Sequence, residues 1–178
     1  MDADKERFTA LYDAHRMRVW AYAASRVGRQ AADEVVSETF MVAWRRFAEM
    51  PSGSLPWLLG VARNVIRDSA RAQVRRDSLA AELRTSAESA ESDVADGVVD
   101  RLALLRALTR LSDADREVLT LVAWHGLSTK EAARVVGCST AAFGVRLHRA
   151  RKRLTAAVNE GPPAPARHQS MAKEMEWS

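Results

Sequence analysis

Large apolar residues recur along this chain at spacings of three and four, the period of helices that each bury one stripe. From about Lys5 to Val27, Phe8, Leu11, Tyr12, His15, Val19, Tyr22 and Ala23 fall on one face, and Gly28 supplies the stop. A second helix is predicted from about Ala31 to Ala48, with Val36, Phe40, Ala43, Trp44 and Phe47 inward. Its other face opens with Asp33, Glu34 and Glu38, acids favoured by the positive end of the helix dipole. The segment 49–54 (EMPSGS) is a turn-rich loop. Ser54 is placed to cap a third helix, Pro56 falls within its first turn, and the helix runs to about Arg76.

Large apolar residues then almost vanish. Residues 77–97 are mostly Ser, Ala and acids, a composition that cannot offset the entropy of ordering, and a flexible linker is predicted there. A stripe of Val98, Leu102, Leu105, Leu108 and Leu111 restarts the helical pattern. Ser112 with Asp115, and Ser128 with Glu131, each have capping-box spacing, and Gly126 and Gly137 are the matching stops. No proline interrupts the chain between Pro56 and Pro162, and no run alternates in the manner of a strand. The predicted fold is all-α: two small helical domains, 1–76 and 98–160, joined by the acidic linker 77–97. The Pro-rich tail, 161–178, is expected to be disordered.

Charge sharpens this division. The 178 residues carry a net charge of only +4, but the sum conceals +4 over residues 1–76, −6 over 77–100 and +6 over 101–160. Two cationic blocks joined by an anionic strap suit a polyanion gripped at two places. The single cysteine excludes a disulfide framework or a Cys-rich zinc site and fits a reducing cytoplasm. No apolar run approaches the roughly 20 residues of a membrane helix, and the charged start is unlike a signal peptide, so neither membrane insertion nor export is expected. His15, His125, His148 and His168 are scattered and form no ligand pair with Cys138. Without a nucleophile elbow, P-loop or dinucleotide fingerprint, no catalytic residue, metal or cofactor is expected, and the chain does not read as an enzyme. Cys138 reads as a turn residue, His15 as packing on the first helix, and Trp20 and Trp44 as core.

Two constellations remain. In Thr129–Leu154 a short helix, a tight turn at Gly137–Ser139 and a second helix with Phe143 and Leu147 inward make a helix-turn-helix. The second helix carries Arg146, Arg149, Arg151, Lys152 and Arg153 with no acid between Ala141 and Leu154. Such a helix can enter the major groove with its N-terminal residues near base edges and its arginines near phosphates. In the third helix, Arg63, Arg67, Arg71 and Arg75 lie four apart as a ridge beside the 49–54 loop and Trp57. That ridge suits tracking a nucleic-acid backbone while nearby groups hold unstacked bases.

In this order, the parts resemble bacterial RNA polymerase sigma factors of the extracytoplasmic-function (ECF) group, over residues 7–158. The segment AADEVVSETFMVAWRRF is similar to the family's core-polymerase-binding helix, and LPWLLGVARNVIRDSARAQVRR to its promoter-melting helix. The segment from Leu108 to Leu154 resembles its C-terminal helix-turn-helix domain. The resemblance implies that Asp33, Glu34, Glu38 and Thr39 dock on the clamp coiled-coil of the largest polymerase subunit. It implies that the loop containing Met50 and Ser52 holds a base flipped from the −10 element. Arg63, Asn64 and Arg67, with Trp57 and Arg71 beside them, would contact that element. Ser139, Thr140, Arg146, His148, Arg149, Arg151 and Lys152 would serve the −35 element. The acidic linker would thread the polymerase cleft, and an anti-sigma factor is an implied partner.

This chain departs from the family at Ser37, where Gln is usual, and at Gly144 and Val145, where a basic residue followed by Ser is common. Altered or relaxed −35 specificity is the expectation. Two rival readings fit parts of the chain. A LuxR-like helix-turn-helix regulator accounts for residues 111–137 but predicts an N-terminal sensing domain, often α/β. A helical adaptor would bind a protein through the Phe40–Trp44–Phe47 face without touching DNA.

Overall fold

Helix α1 (Asp2–Val27) ends against Gly28, whose φ of +80° lies in the left-handed region that glycine enters without a Cβ clash. That one residue turns the chain directly into α2 (Arg29–Arg45), and a single 3-10 turn at Phe47–Glu49 leads toward α3 (Ser54–Ala81). The second group comprises α4 (Val99–Thr109), α5 (Asp113–Ala123), α6 (Thr129–Val136) and α7 (Thr140–Asn159). These elements come from a computed structural model that describes residues 2–51, 53–81 and 99–159. Most of the predicted linker, the whole 161–178 tail and Ser52 lie outside the described residues. Every regular element described is helical, and none is long and apolar enough to cross a membrane.

The first three helices close around Val19, Tyr22 and Ala23 of α1, Val35, Phe40 and Ala43 of α2, and Leu55, Leu58, Leu59 and Ala62 of α3. His15 Nε2 lies 2.8 Å from Ser54 Oγ and ties α1 to the start of α3. Ser54 is thus the first residue of its helix rather than the residue before it. Helix α2 begins two residues earlier than its periodicity suggested, so Asp33 and Glu34 sit beyond the first turn, which holds no acid. Helix α3 continues past Arg76 to Ala81, because Leu79, Ala80 and Ala81 are good helix formers with no breaker before them.

Side-chain caps define the second group. Ser112 Oγ accepts from Asp115 N at 3.2 Å and starts α5. At α6 the box is reciprocal: Ser128 Oγ accepts from Glu131 N, while Glu131 Oε2 accepts from Ser128 N at 2.8 Å. The Ser128 hydroxyl, donating to Glu131 Oε2 at 2.6 Å, and then the Ser128 N–H hold the Glu131 carboxyl below its usual pKa. Gly137 closes α6 at φ +73°, and Ser139 Oγ accepts from Ala142 N to open α7. Helix α7 then buries Phe143, Leu147 and Ala150 against α5 and α6.

The two groups share one continuous core, and α3 packs directly on α6. At their junction Glu117 of α5 is only 4% exposed. Its Oε1 accepts from Tyr22 Oη at 2.6 Å and from Arg63 Nε at 2.9 Å. Arg18 donates to the carbonyl of His125, and Arg26 Nη1 to that of Asp113 at 2.9 Å. Burial and the neighbouring Glu117 charge push the Tyr22 phenol well above its ordinary pKa, so it remains a donor. The His125 ring stands edge-on to Tyr22 at 5.9 Å. Burial first, and Arg18 second, bring its pKa down to about 4.

A histidine held neutral in the fold stabilises it fully above its unfolded pKa near 6.5 and loses that contribution as pH falls toward about 4. Urea unfolding should therefore weaken between pH 6.5 and 4, by on the order of 2–3 kcal/mol from this group. His125→Phe should flatten the slope but not abolish it, because burial and Arg18 lower the His15 pKa as well. An unchanged slope in His125→Phe would show that the ring is not the titrating group.

Candidate functional site

Three surfaces carry the residues singled out from the sequence. On α2, Asp33, Glu34 and Glu38 are exposed on one face. Trp20 Nε1 donates to Asp33 Oδ1 at 3.0 Å, and Ser37 Oγ to the Asp33 carbonyl at 2.9 Å. Thr39 does not join them. It is fully buried and its hydroxyl has no partner among the described residues, because position 39 continues the inward stripe through Ala32, Val36 and Ala43. Trp44 reverses the other way: it is 49% exposed rather than core. Phe8 meets it at 4.9 Å and Phe47 at 5.6 Å, both edge-on, while the Arg7 guanidinium lies over the Phe47 ring. An aromatic shelf thus stands beside the acidic face.

The second surface is a cleft of about 410 Å³. One wall is the start of α3 and its loop, with Arg46, Trp57, Arg63, Asn64 and Arg67. The Arg46 guanidinium sits 6.0 Å from the Trp57 ring centre. Met50, at the end of the 3-10 turn, packs partly against the core. The opposite wall is Arg134 to Gly137 of α6. Asn64, Arg67, Arg71 and Arg75 face solvent, and Arg71 lies 3.5 Å from Asp68. Arg63 leaves the ridge: its guanidinium turns to Glu117 and its side chain is 19% exposed.

The third surface is α7, about 30 Å long at 1.5 Å per residue. Ser139, Thr140, Arg146, His148, Arg149, Arg151 and Lys152 are all exposed. Arg153 is tethered to Asp115 at 2.7 Å and helps dock the helix on α5. Val145 is exposed, and a Cβ placed on Gly144 would meet nothing within 4 Å. Packing therefore does not demand glycine there. The outward cations on a helix presented by a capped turn form a surface that can follow phosphates, with the α7 N-terminus free to approach bases.

The residues that sequence reasoning missed are those joining the two groups: Arg18, Tyr22, Arg26, Glu117 and His125. One signal existed. Glu117 lies four residues before Leu121 on the buried face of α5, where an acid needs a partner.

Residues 11–76 match Sigma-70 region 2, and residues 101–154 match Sigma-70, region 4. The chain is 32% identical over 163 residues to the ECF RNA polymerase sigma factor SigL of Mycobacterium tuberculosis, covering 89% of this chain and 92% of that protein. It is 31% identical to the RNA polymerase sigma factor CarQ of Myxococcus xanthus, over 89% of this chain and 93% of that one. Among solved structures, the sigma factor RpoE in complex with the anti-sigma factor NepR from Bartonella quintana matches with a TM-score of 0.70 at 25% identity. That match covers 88% of this chain and 99% of the other. CnrH in complex with the cytosolic domain of CnrY matches with a TM-score of 0.61 at 25% identity, over 89% and 91% of the two chains. A region 2 match across the first three helices displaces the LuxR-like alternative, which needed a sensing domain there. The chain belongs to the ECF RNA polymerase sigma factors.

Proposed function

We propose that this sigma factor divides its work among the three surfaces, acting in the cytoplasm as an initiation factor rather than an enzyme. The acidic face of α2, through Asp33, Glu34 and Glu38, docks on the clamp coiled-coil of core polymerase, with the aromatic shelf of Trp44 and Phe47 at its edge. Thr39 supports that face from the core without touching the partner. The observation that carries the DNA reading is α7: its outward cations stand clear of the rest of the fold while Phe143 and Leu147 anchor it. It reads the −35 element. The Trp57 cleft and the exposed Asn64, Arg67 and Arg71 hold the melted −10 strand, with Met50 and Ser52 at the flipped base. Unstacking a base costs a few kcal/mol, and stacking in a pocket returns about 1–3 kcal/mol. Opening then needs no ATP, because the captured strand shifts the population of melted promoter. An anti-sigma factor is a further partner, as for the sigma factors in the two solved complexes.

Run-off transcription with purified core polymerase and a promoter library tests the reading directly; a chain that neither binds core nor directs initiation is not performing this function. Charge reversal at Asp33 or Glu38 should weaken core binding about tenfold or more, with duplex retention unchanged. Arg67→Ala should lower open-complex formation and reduce the salt slope of strand binding by about one. Binding-site selection should return a −35 motif altered or relaxed relative to the usual family one, and Gly144→Arg should tighten duplex binding because a side chain there has room. An ordinary family motif, undiminished by Gly144→Arg, would refute the altered specificity.

A further inference from the structure

The loop assigned above to a flipped base carries little packing of its own where it is described. Pro51 and Gly53 are exposed, and a Cβ placed on Gly53 would meet nothing within 4 Å. A pocket that discriminates among bases needs its groups held to about 0.5 Å, so the restraint must come from the two ends of the loop. The incoming end is fixed at the 3-10 turn. Arg46 donates twice to Glu49 Oε2, at 2.9 and 2.7 Å, and Met50 N donates to the Phe47 carbonyl. The outgoing end is Ser54, whose Oγ meets His15 Nε2 of α1. Among the described residues from Met50 to Trp57, that is the one side-chain hydrogen bond. His15, which its spacing marks only as a packing residue, thus reaches across to the place where the loop ends.

We infer that His15 is a positioning residue for base capture: by fixing the Ser54 hydroxyl it sets where the loop enters α3. This rests on the reading of that loop as the one that holds the base. The ring's own chemistry gives the direction of the bond. Its Nδ1 is buried and has no partner among the described residues. A neutral imidazole carries one N–H, and a buried N–H without an acceptor is harder to accommodate than a buried lone pair without a donor. The proton therefore belongs on Nε2, which donates to Ser54 Oγ. Burial and then Arg18 lower the pKa of the ring, so it stays neutral and no second N–H is orphaned at Nδ1. Ser54 Oγ, accepting from His15, keeps its own hydrogen, and no described residue takes it. A strand oxygen or base acceptor beside the loop can. Two helices thus share the fixing of one hydroxyl. Helix α1 supplies the donor, while α3 begins at the acceptor and continues through buried Leu55 and Leu58. Trp57 and Asn64 of the cleft wall stand on the same helix, so a displaced Ser54 shifts the end of the loop relative to both.

The test uses the full chain with purified core polymerase and a promoter library randomised over both elements. Templates transcribed by the wild type, His15→Leu, His15→Gln, Ser54→Ala and the double variant of His15→Leu with Ser54→Ala are sequenced. Each promoter position then has a preference ratio. A base held in a pocket is favoured about tenfold or more, and in His15→Leu and Ser54→Ala that ratio at one −10 position should fall to about threefold or less. The −35 ratios should not change. His15→Gln, whose amide nitrogen reaches the place of Nε2, should recover most of the lost ratio. The double variant should be no worse than either single one, because both cut the same bond. Three results overturn the positioning role and leave the loop reading standing: lower output with the −10 ratios intact, equal erosion of −10 and −35 ratios, or His15→Gln as poor as His15→Leu. A wild type without any −10 preference overturns both.

Discussion

A carboxylate withdrawn from water organises the relation between the two halves of this molecule. Glu117 is buried where an isolated charge would cost several kcal/mol, and the partners that offset that cost lie in the other domain. Tyr22 must keep its proton to serve, and its environment ensures that it does. Arg63 must abandon the ridge that its spacing places it on. The Arg18 and Arg26 bonds run in the same direction, from side chains of α1 to backbone carbonyls of the second domain. Polar groups thus fix the orientation of an interface whose apolar part, around α3 and α6, belongs to a continuous core.

Local chemistry made most of the helices legible. Gly28 and Gly137 adopt the left-handed backbone that their positions suggested, and Ser128 with Glu131 closes the reciprocal box that its spacing announced. Phe143 and Leu147 point inward because α7 has an unambiguous stripe beside an unambiguous cationic face. Failures occurred where one residue could serve two faces. Thr39 is polar enough for a contact surface and small enough for a core, and helix phase alone decides. Trp44 lies at the margin of the apolar stripe, where the aromatic shelf opens to solvent. The Arg63–Glu117 pair joins positions 54 apart, and no helical period reports a contact at that separation. The exposed site residues, such as Asp33, Arg67 and Arg149, keep the outward placement that helix phase assigns them.

The second domain separates two tasks often confused in a cationic helix. Arg153 spends its charge on Asp115 and seats α7, whereas Arg146, Arg149, Arg151 and Lys152 remain turned outward. Gly144 and Val145 lie on the accessible part of the same helix, with space around the glycine. Substitution there can change the outer surface of the helix without repacking the core, which places that surface and stability on different residues.

The order of synthesis gives the Arg63–Glu117 pairing a temporal side. Arg63 is made 54 residues before its partner carboxylate. At translation rates of about 5–20 residues per second, roughly 3–10 seconds pass between the two. During that interval the first domain has the local helices needed to fold, while the acid that occupies its arginine does not yet exist. A ribosome translating this message therefore carries a nascent first domain whose Arg63 has no Glu117 to pair with, and arrival of α5 ends that state.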